Sequence, residues 1–320
     1  MSNILVTGAN GFIGSNLSAE LLKHGNYVRG ALRKPELYGG YLKNYSEIVV
    51  GEINHNTEWS KALDSIDTVV HLAAVTHQSA QLNDKEYFAQ VNVLATKQLL
   101  ESAIKAKVDK FIFISSVKVY GEQDFSDIVL DESSPVGVDC DLYGSSKLEA
   151  EKLIKEIAKN YPIEFVIIRV PLVYGAQVRA NFKSLLQLLN TGVPLPFLGI
   201  DNKKSMVSVD NLVDFVWCCI SHPKASNQTF LVSDMDDLSL PRLVRVIRSE
   251  MKLSARLFYL PRLLLSILFT FIGRKTQFRK LSSNLRISSN KANRLLAWKP
   301  ITSVESAMSK TVKAYLRNKQ

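Results

Sequence analysis

Asn3-Ile-Leu-Val-Thr-Gly8-Ala-Asn-Gly11-Phe-Ile-Gly14 lies at the start of the 320 residues. Ile4, Leu5 and Val6 form the apolar run of a parallel strand buried on both faces. Phe12, Ile13, Leu17, Leu21 and Leu22 then recur at helical spacing. Between them stand three glycines, each three residues after the last. Gly8 can take the backbone angles of a tight turn, and Gly11 lets the main chain approach a pyrophosphate resting on the helix N-terminus. Gly14 allows close packing of helix on strand. A glycine triplet alone also fits an ordinary strand-to-helix turn. Its place between this strand and this helix points to a dinucleotide site.

Outward from that turn, strands and helices alternate. Tyr27–Leu32 reads as a second strand, Ile48–Ile53 as a third, Asp67–Ala74 as a fourth and Phe111–Ser116 as a fifth. A helix over residues 84–106 contains Asn92. The alternation predicts an α/β fold, a doubly wound parallel sheet of the Rossmann type, with ligands beyond the strand C-termini. His71 lies inside an apolar run and reads as a satisfied core histidine rather than a catalyst. At the end of the second strand, Ala31 and Leu32 occupy the place of the acid that grips a ribose in NAD sites, and Arg33-Lys34 follow. A guanidinium can hold a 2′-phosphate through several donors, so NADP is expected over NAD.

Tyr143 and Lys147 are four residues apart at the start of a helix and share a face. A tyrosine with an ordinary pKa of about 10 is a poor base at neutral pH. A nearby ammonium and an oxidised nicotinamide both favour the phenolate, so the pair can pass a proton to or from a sugar oxygen, with Ser116 opposite.

Thr7-Gly8-x-x-Gly11-x-x-Gly14, Ser115-Ser116, Val119-Tyr120-Gly121 and Tyr143-x-x-x-Lys147 together resemble the extended short-chain dehydrogenase/reductase family of nucleotide-sugar enzymes. Arg169-Val-Pro171-Leu-Val-Tyr-Gly175, Val207-x-Val-Asp210-Asn-Leu212 and Lys291-x-x-x-x-Leu-x-Trp298-Lys-Pro300 extend the match nearly end to end. The resemblance implies that Tyr143 is the acid/base, that Lys147 tunes it and binds the nicotinamide ribose, and that Ser116 orients the C4 oxygen. The cofactor positions expected are Gly8, Asn10, Gly11, Phe12, Ile13, Gly14, Arg33, Glu52, Ile53, Leu72, Ala73, Ala74, Asn92, Ser115, Tyr143, Lys147 and Pro171. The substrate positions are Ser116, Lys118, Tyr143, Asn181 and Lys204, the last standing where many members carry a diphosphate-binding arginine. Residues 1–175 and about 205–223 would form the Rossmann domain. Residues 176–204 and 224–320 would form a smaller α/β substrate domain, with the turn-rich stretch 191–199 lining a pocket or simply packing.

The 4,6-dehydratases of this family carry an Asp-Glu pair directly after the serine, and Val117-Lys118 stand there instead. That leaves oxidation or reduction at C4. The first reading is NADPH-dependent reduction of a UDP-4-keto-6-deoxy-N-acetylhexosamine for surface polysaccharide synthesis. The alternative is a UDP-hexose or UDP-N-acetylhexosamine 4-epimerase with bound NAD, and a minor one is an NADP-binding sensor or scaffold. The expected partner is a UDP-linked sugar, with a homodimer formed by the helices bearing Asn92 and Tyr143. Leu99, Leu100, Leu148, Leu153 and Ile154 are candidates for its apolar surface.

Charge is unevenly spread. Residues 241–320 hold 18 Lys+Arg against Glu250 and Glu305, whereas the first 240 hold 22 basic and 28 acidic residues. Such an excess suits contact with an anion. No motif favours nucleic acid, and a weak peripheral membrane contact through this third is a minority reading. Leu263–Ile272 is too short to span a bilayer and reads as a buried or partner-facing helix. Cys140, Cys218 and Cys219 make no metal spacing, no metal is expected, and with no signal peptide recognisable the expected location is the cytoplasm.

Overall fold

Parallel pairing dominates a computed structural model of the chain, which describes residues 1–35, 43–76, 84–121, 128–178 and 180–318. The strands are β1 (Asn3–Thr7), β2 (Tyr27–Leu32), β3 (Tyr45–Val49), β4 (Thr68–His71), β5 (Lys110–Ser116), β6 (Val129–Leu130), β7 (Glu164–Val170), β8 (Leu172–Tyr174), β9 (Met206–Ser208), β10 (Gln228–Leu231) and β11 (Arg286–Ile287). Seven of them build one sheet in the order β10-β7-β5-β4-β1-β2-β3. All its neighbours run parallel, so every strand delivers its C-terminus to one edge. The chain order reverses direction beside β1, and the crevice there is where ligands of doubly wound sheets lie.

The helices are α1 (Phe12–Lys23), α2 (Ser60–Leu63), α3 (Lys85–Phe88), α4 (Ala95–Lys105), α5 (Leu142–Ala158), α6 (Ala180–Asn190), α7 (Val209–Ser221), α8 (Leu240–Glu250), α9 (Arg262–Phe271), α10 (Lys275–Ser282), α11 (Asn290–Leu296) and α12 (Val304–Arg317). A π-helical segment, Ala89–Leu94, joins α3 to α4 and carries Asn92. One face of the sheet packs on α1, α7 and α11, the other on α2, α4 and α5. A separate core of α6, α8, α9, α10 and α12 forms the smaller domain.

β1 and β2 fall where periodicity places them, whereas the third strand spans 45–49 instead of 48–53. Register explains the shift: Leu32, the last residue of β2, pairs with Val49, so the ladder ends there. The domain boundary also moves. β10 is the sheet's edge strand, and Ala292, Leu296 and Trp298 pack into the same core, with Trp298 Nε1 donating to Asp214 at 2.7 Å. These C-terminal residues therefore belong with the Rossmann unit. Leu99, Leu100 and Ile154 are fully buried and Leu148 nearly so, which makes them internal core rather than a dimer surface. In the stretch 191–199, Leu195 and Phe197 are core residues. The buried Arg248 clamps the stretch by donating to the carbonyls of Leu189, Val193 and Ala255. Among the described residues no helix is long and apolar enough to cross a membrane.

Two buried polar clusters tie this architecture together. His71 Nδ1 meets Thr7 Oγ1 at 2.7 Å, and its Nε2 meets Thr96 Oγ1 at 3.0 Å, so the ring joins β1, β4 and α4. Glu151 of α5 takes the Arg169 guanidinium of β7 through both carboxylate oxygens and a hydrogen bond from Ser115 Oγ of β5. Arg169 also donates to Tyr120 Oη at 2.7 Å.

Breaking a buried, hydrogen-bonded ion pair from one side leaves an uncompensated charge. Glu151→Ala is expected to lower the unfolding free energy by about 3–5 kcal/mol in urea titrations. Removing Glu101 from its exposed pair with Lys97 should change it by less than about 1 kcal/mol. Burial, and secondarily the Lys147 charge, push His71 down from 6.5 to about 3. The unfolded chain therefore takes up this proton first, and the stability carried by neutral His71 is complete above about pH 6.5 and lost as the pH falls toward 3. Imidazole NMR shifts should show His71 neutral from about pH 8 to about pH 5, and a titration near 6.5 would contradict the assignment.

Candidate active site

The glycine turn closes on itself. Gly8 sits at φ +68°, and its carbonyl accepts the Gly11 N–H at 2.9 Å. A Cβ on Gly14 would lie 2.1 Å from the Gly8 oxygen, and one on Gly8 would lie 3.2 Å from the Ala73 nitrogen. Any side chain at Gly14 would therefore push α1 away from β1. Gly11 caps α1 without a side-chain hydrogen bond, which suits the first-turn N–H groups to an anion. Thr7 completes the corner, its Oγ1 accepting from the Leu72 and Ala73 N–H groups at 3.2 Å each. This cradle fits a pyrophosphate, with Asn10, Phe12 and Ile13 on its partly exposed rim.

Ser116 ends β5, and its Oγ accepts the Lys118 N–H at 3.2 Å, starting the short 3-10 turn Val117–Tyr120. Tyr143 is in the first turn of α5, capped by Asp141, whose Oδ1 accepts the Gly144 N–H at 2.7 Å. Gly144 lets α5 approach the 3-10 turn, because a Cβ there would stand 2.4 Å from the Lys118 oxygen. This approach brings the Tyr143 hydroxyl into a hydrogen bond with Ser116. Lys147, one turn on, is buried and donates to the Ile114 carbonyl at 2.8 Å, its ammonium 4.4 Å above the Phe113 ring. The structure thus unites Ser116, Tyr143 and Lys147 at the same sheet edge as the glycine turn.

The electrostatics differ from the sequence expectation of a lowered tyrosine pKa. Burial, reinforced by Asp141, pushes the Tyr143 phenol well above its ordinary value, and the Ser116 hydrogen bond only partly opposes this. Burial pulls Lys147 down to about 7, against the pull of Glu151. In the protein alone the phenol is therefore protonated at neutral pH.

Several expected contacts are spent elsewhere. The Ser115 hydroxyl is turned to Glu151, and Ile53 is packed in the core. Asn92 is buried, with Oδ1 accepting the Val75 N–H and Nδ2 donating to the Val75 carbonyl and to Ser146 Oγ at 2.9 Å. It braces the loop holding Leu72, Ala73 and Ala74 against α5. Lys118 reaches Asp141 Oδ2 at 2.5 Å and so pins the cap of α5. Lys204 donates to the Lys280 carbonyl. Pro171 is buried just past the end of β7. The side chain of Asn181 lies outside the described residues. Among the described residues, no group of three or more His, Cys, Asp or Glu side chains could hold a metal.

Sequence reasoning missed Glu151 and the bracing by Asp141. A signal was present, since Tyr143, Lys147 and Glu151 recur every four residues along one helical face.

The NAD dependent epimerase/dehydratase family model matches residues 4–233. A UDP-glucose 4-epimerase of Vibrio cholerae is 36% identical over 98% of this chain and 96% of its own length. The structure of a UDP-glucuronic acid 4-epimerase from Bacillus cereus, solved with NAD, is 25% identical with a TM-score of 0.79, covering 99% of this chain and 100% of that one. A Thermotoga maritima UDP-glucose 4-epimerase structure shares the fold at 21% identity and a TM-score of 0.76, over 99% of this chain and 100% of its own.

The expectation of NADP is overturned by the solved relatives, whose bound dinucleotide is NAD. Geometry supplies a reason. Arg33, the residue expected to grip a 2′-phosphate, is exposed and faces the Glu52 carboxylate at 3.9 Å. A carboxylate at that corner opposes an added phosphate and suits ribose hydroxyls. From its glycine turn, its Ser116–Tyr143–Lys147 group and these likenesses, the chain belongs to the NAD dependent epimerase/dehydratase family.

Proposed function

We propose that the protein is a UDP-sugar 4-epimerase working with NAD. The observation that carries this reading is the 36% identity, end to end, with the Vibrio cholerae UDP-glucose 4-epimerase, in a chain that keeps Ser116, Tyr143 and Lys147 together. The reading as a 4-keto reductase leaned on the Ala31–Arg33 pattern as a mark of NADPH and on the likeness of Ser115-Ser-Val-Lys118-Val to a reductase branch, and the first of these supports is gone. The 4,6-dehydratase route has no acid pair after Ser116: Val117 is buried and Lys118 is paired with Asp141.

Bound NAD would supply a hydride acceptor and a positive charge at the sheet edge. The protein's own residues handle the proton and the orientation. The glycine turn and the N-terminus of α1 would bind the pyrophosphate, with Glu52 near the adenosine ribose. Ser116 orients the C4 oxygen by a hydrogen bond and holds Tyr143 toward it. With the positive charges of bound NAD and of Lys147 favouring the phenolate, Tyr143 would first give up its own proton to solvent, then take the C4 hydroxyl proton and later return it. Lys147 compensates the phenolate charge; its pKa of about 7 rises when a negative oxygen forms beside it. Burial keeps bulk water from competing for these protons.

Incubation of the enzyme and NAD with UDP-glucose, and separately with UDP-N-acetylglucosamine, should yield the galacto epimer of at least one of them with no net change in NADH absorbance. Consumption of NADPH with a 4-keto sugar, without epimer formation, would overturn the reading. Tyr143→Phe should lower kcat about 10²- to 10⁴-fold while NAD binding, followed by fluorescence titration, stays within about threefold. Unchanged turnover in that variant would remove Tyr143 from the chemistry.

A further inference from the structure

The smaller domain exposes an apolar helix face that no described element covers. Leu263, Leu264, Ile267, Leu268, Phe271 and Ile272 follow a helical stripe and are each between 44% and 86% exposed. The opposite side of α9 is anchored: Leu265 is fully buried, and Phe269 stacks on Phe278 of α10 at 5.0 Å. α10 is tied to the body through Asn202, which donates to the carbonyls of Leu281 and Ser283, and through Lys204. The stripe is thus presented by a fixed helix pair, and Phe258 and Tyr259 lie exposed just before it.

Cations surround this stripe. Arg262 begins α9, Arg274 and Lys275 stand between the helices, and Arg279 and Lys280 lie on α10, all exposed. From Met251 to Val304 the sequence has 11 Lys+Arg and no Asp or Glu. Ten residues of helix span about 15 Å, half of a bilayer core of about 30 Å, so α9 can lie on a membrane but cannot cross one. An apolar stripe flanked by cations is the pattern of a helix resting at the headgroup boundary.

We propose that α9 and α10 dock the protein on an anionic bilayer surface, with the Leu263–Ile272 stripe entering the acyl boundary and the five flanking cations meeting lipid phosphates. A second copy of the chain is a poorer occupant. A two-fold contact through the same face would set these like charges against their own copies. The long Arg and Lys stems can lie along the apolar stripe while their charged ends stay in the headgroup layer.

Co-sedimentation with vesicles tests this using the full-length protein. Vesicles of equimolar phosphatidylglycerol and phosphatidylcholine should bind about tenfold or more protein than phosphatidylcholine alone at low salt, and added salt should weaken the binding. Leu268→Ser/Phe271→Ser and, separately, Arg274→Gln/Lys275→Gln should each lose about tenfold of that binding, with unchanged urea unfolding because the positions are exposed. The proposal fails if the wild type does not sediment with anionic vesicles, or if both double variants bind as the wild type does. It also fails if light scattering shows a larger wild-type oligomer that the serine pair dissociates, since a second copy would then cover the stripe.

Discussion

The buried pair of Glu151 and Arg169 sets the depth at which α5 lies on the sheet, and the catalytic geometry follows from that depth. Two charges taken out of water are tolerable only when their lone pairs and protons are satisfied. Here the carboxylate takes Arg169 through both oxygens and a third bond from Ser115. The remaining guanidinium arm goes to Tyr120. Because side chains alternate along a strand, Ser115 can hold α5 in place while Ser116, its neighbour, faces the ligand crevice. The same helix face that fixes Glu151 therefore delivers Lys147 and Tyr143 one and two turns earlier.

A second constraint acts at the other side of the crevice. The glycine turn leaves no space for a Cβ at Gly14, and Thr7 draws the loop after β4 against it. Neutral His71 then links Thr7 to Thr96, next to the π-helical turn from which Asn92 holds that loop against Ser146 of α5. Cofactor cradle and catalytic helix are consequently positioned by one continuous polar chain rather than by two independent elements. A π-bulge is a common way to aim a side chain out of helical register, and here it aims Asn92.

Local signals were sufficient for much of this. Apolar runs and glycine spacing located β1, α1 and β2, and Tyr143 and Lys147 declared themselves by spacing and company. What sequence could not show was where long charged side chains end. Arg33, Lys118 and Lys204 each read as ligand-binding cations, yet Arg33 faces Glu52, Lys118 pins Asp141 and Lys204 bonds Lys280, partners 19, 23 and 76 residues away. Such pairings depend on the tertiary fold, and periodicity carries no information about them. The edge strand β10 was missed for a similar reason. Four residues of ordinary composition become a strand only because β7 offers a free edge beside them.

α9 illustrates the same limit from the apolar side. Eight of the ten residues from Leu263 to Ile272 are hydrophobic, which suggested a buried or partner-facing helix, but burial needs an opposing surface, and within the molecule the core takes in Leu265 while Phe278 of α10 covers Phe269. The exposed remainder sits on a helix pair braced through Lys204 and Asn202. Lys204 immediately precedes Ser205 and β9, which pairs with β8 beside the sheet's C-terminal edge. Ser208, the last residue of β9, donates its backbone N–H to the Asp234 carboxylate and, through its Oγ accepting the Asn211 N–H, caps α7, which packs on α1 behind the glycine turn. α9 and α10 are therefore linked through β9 and α7 to α1, which begins at the glycine turn. The smaller domain is thus joined to the sheet edge that bears Ser116 by continuous backbone segments.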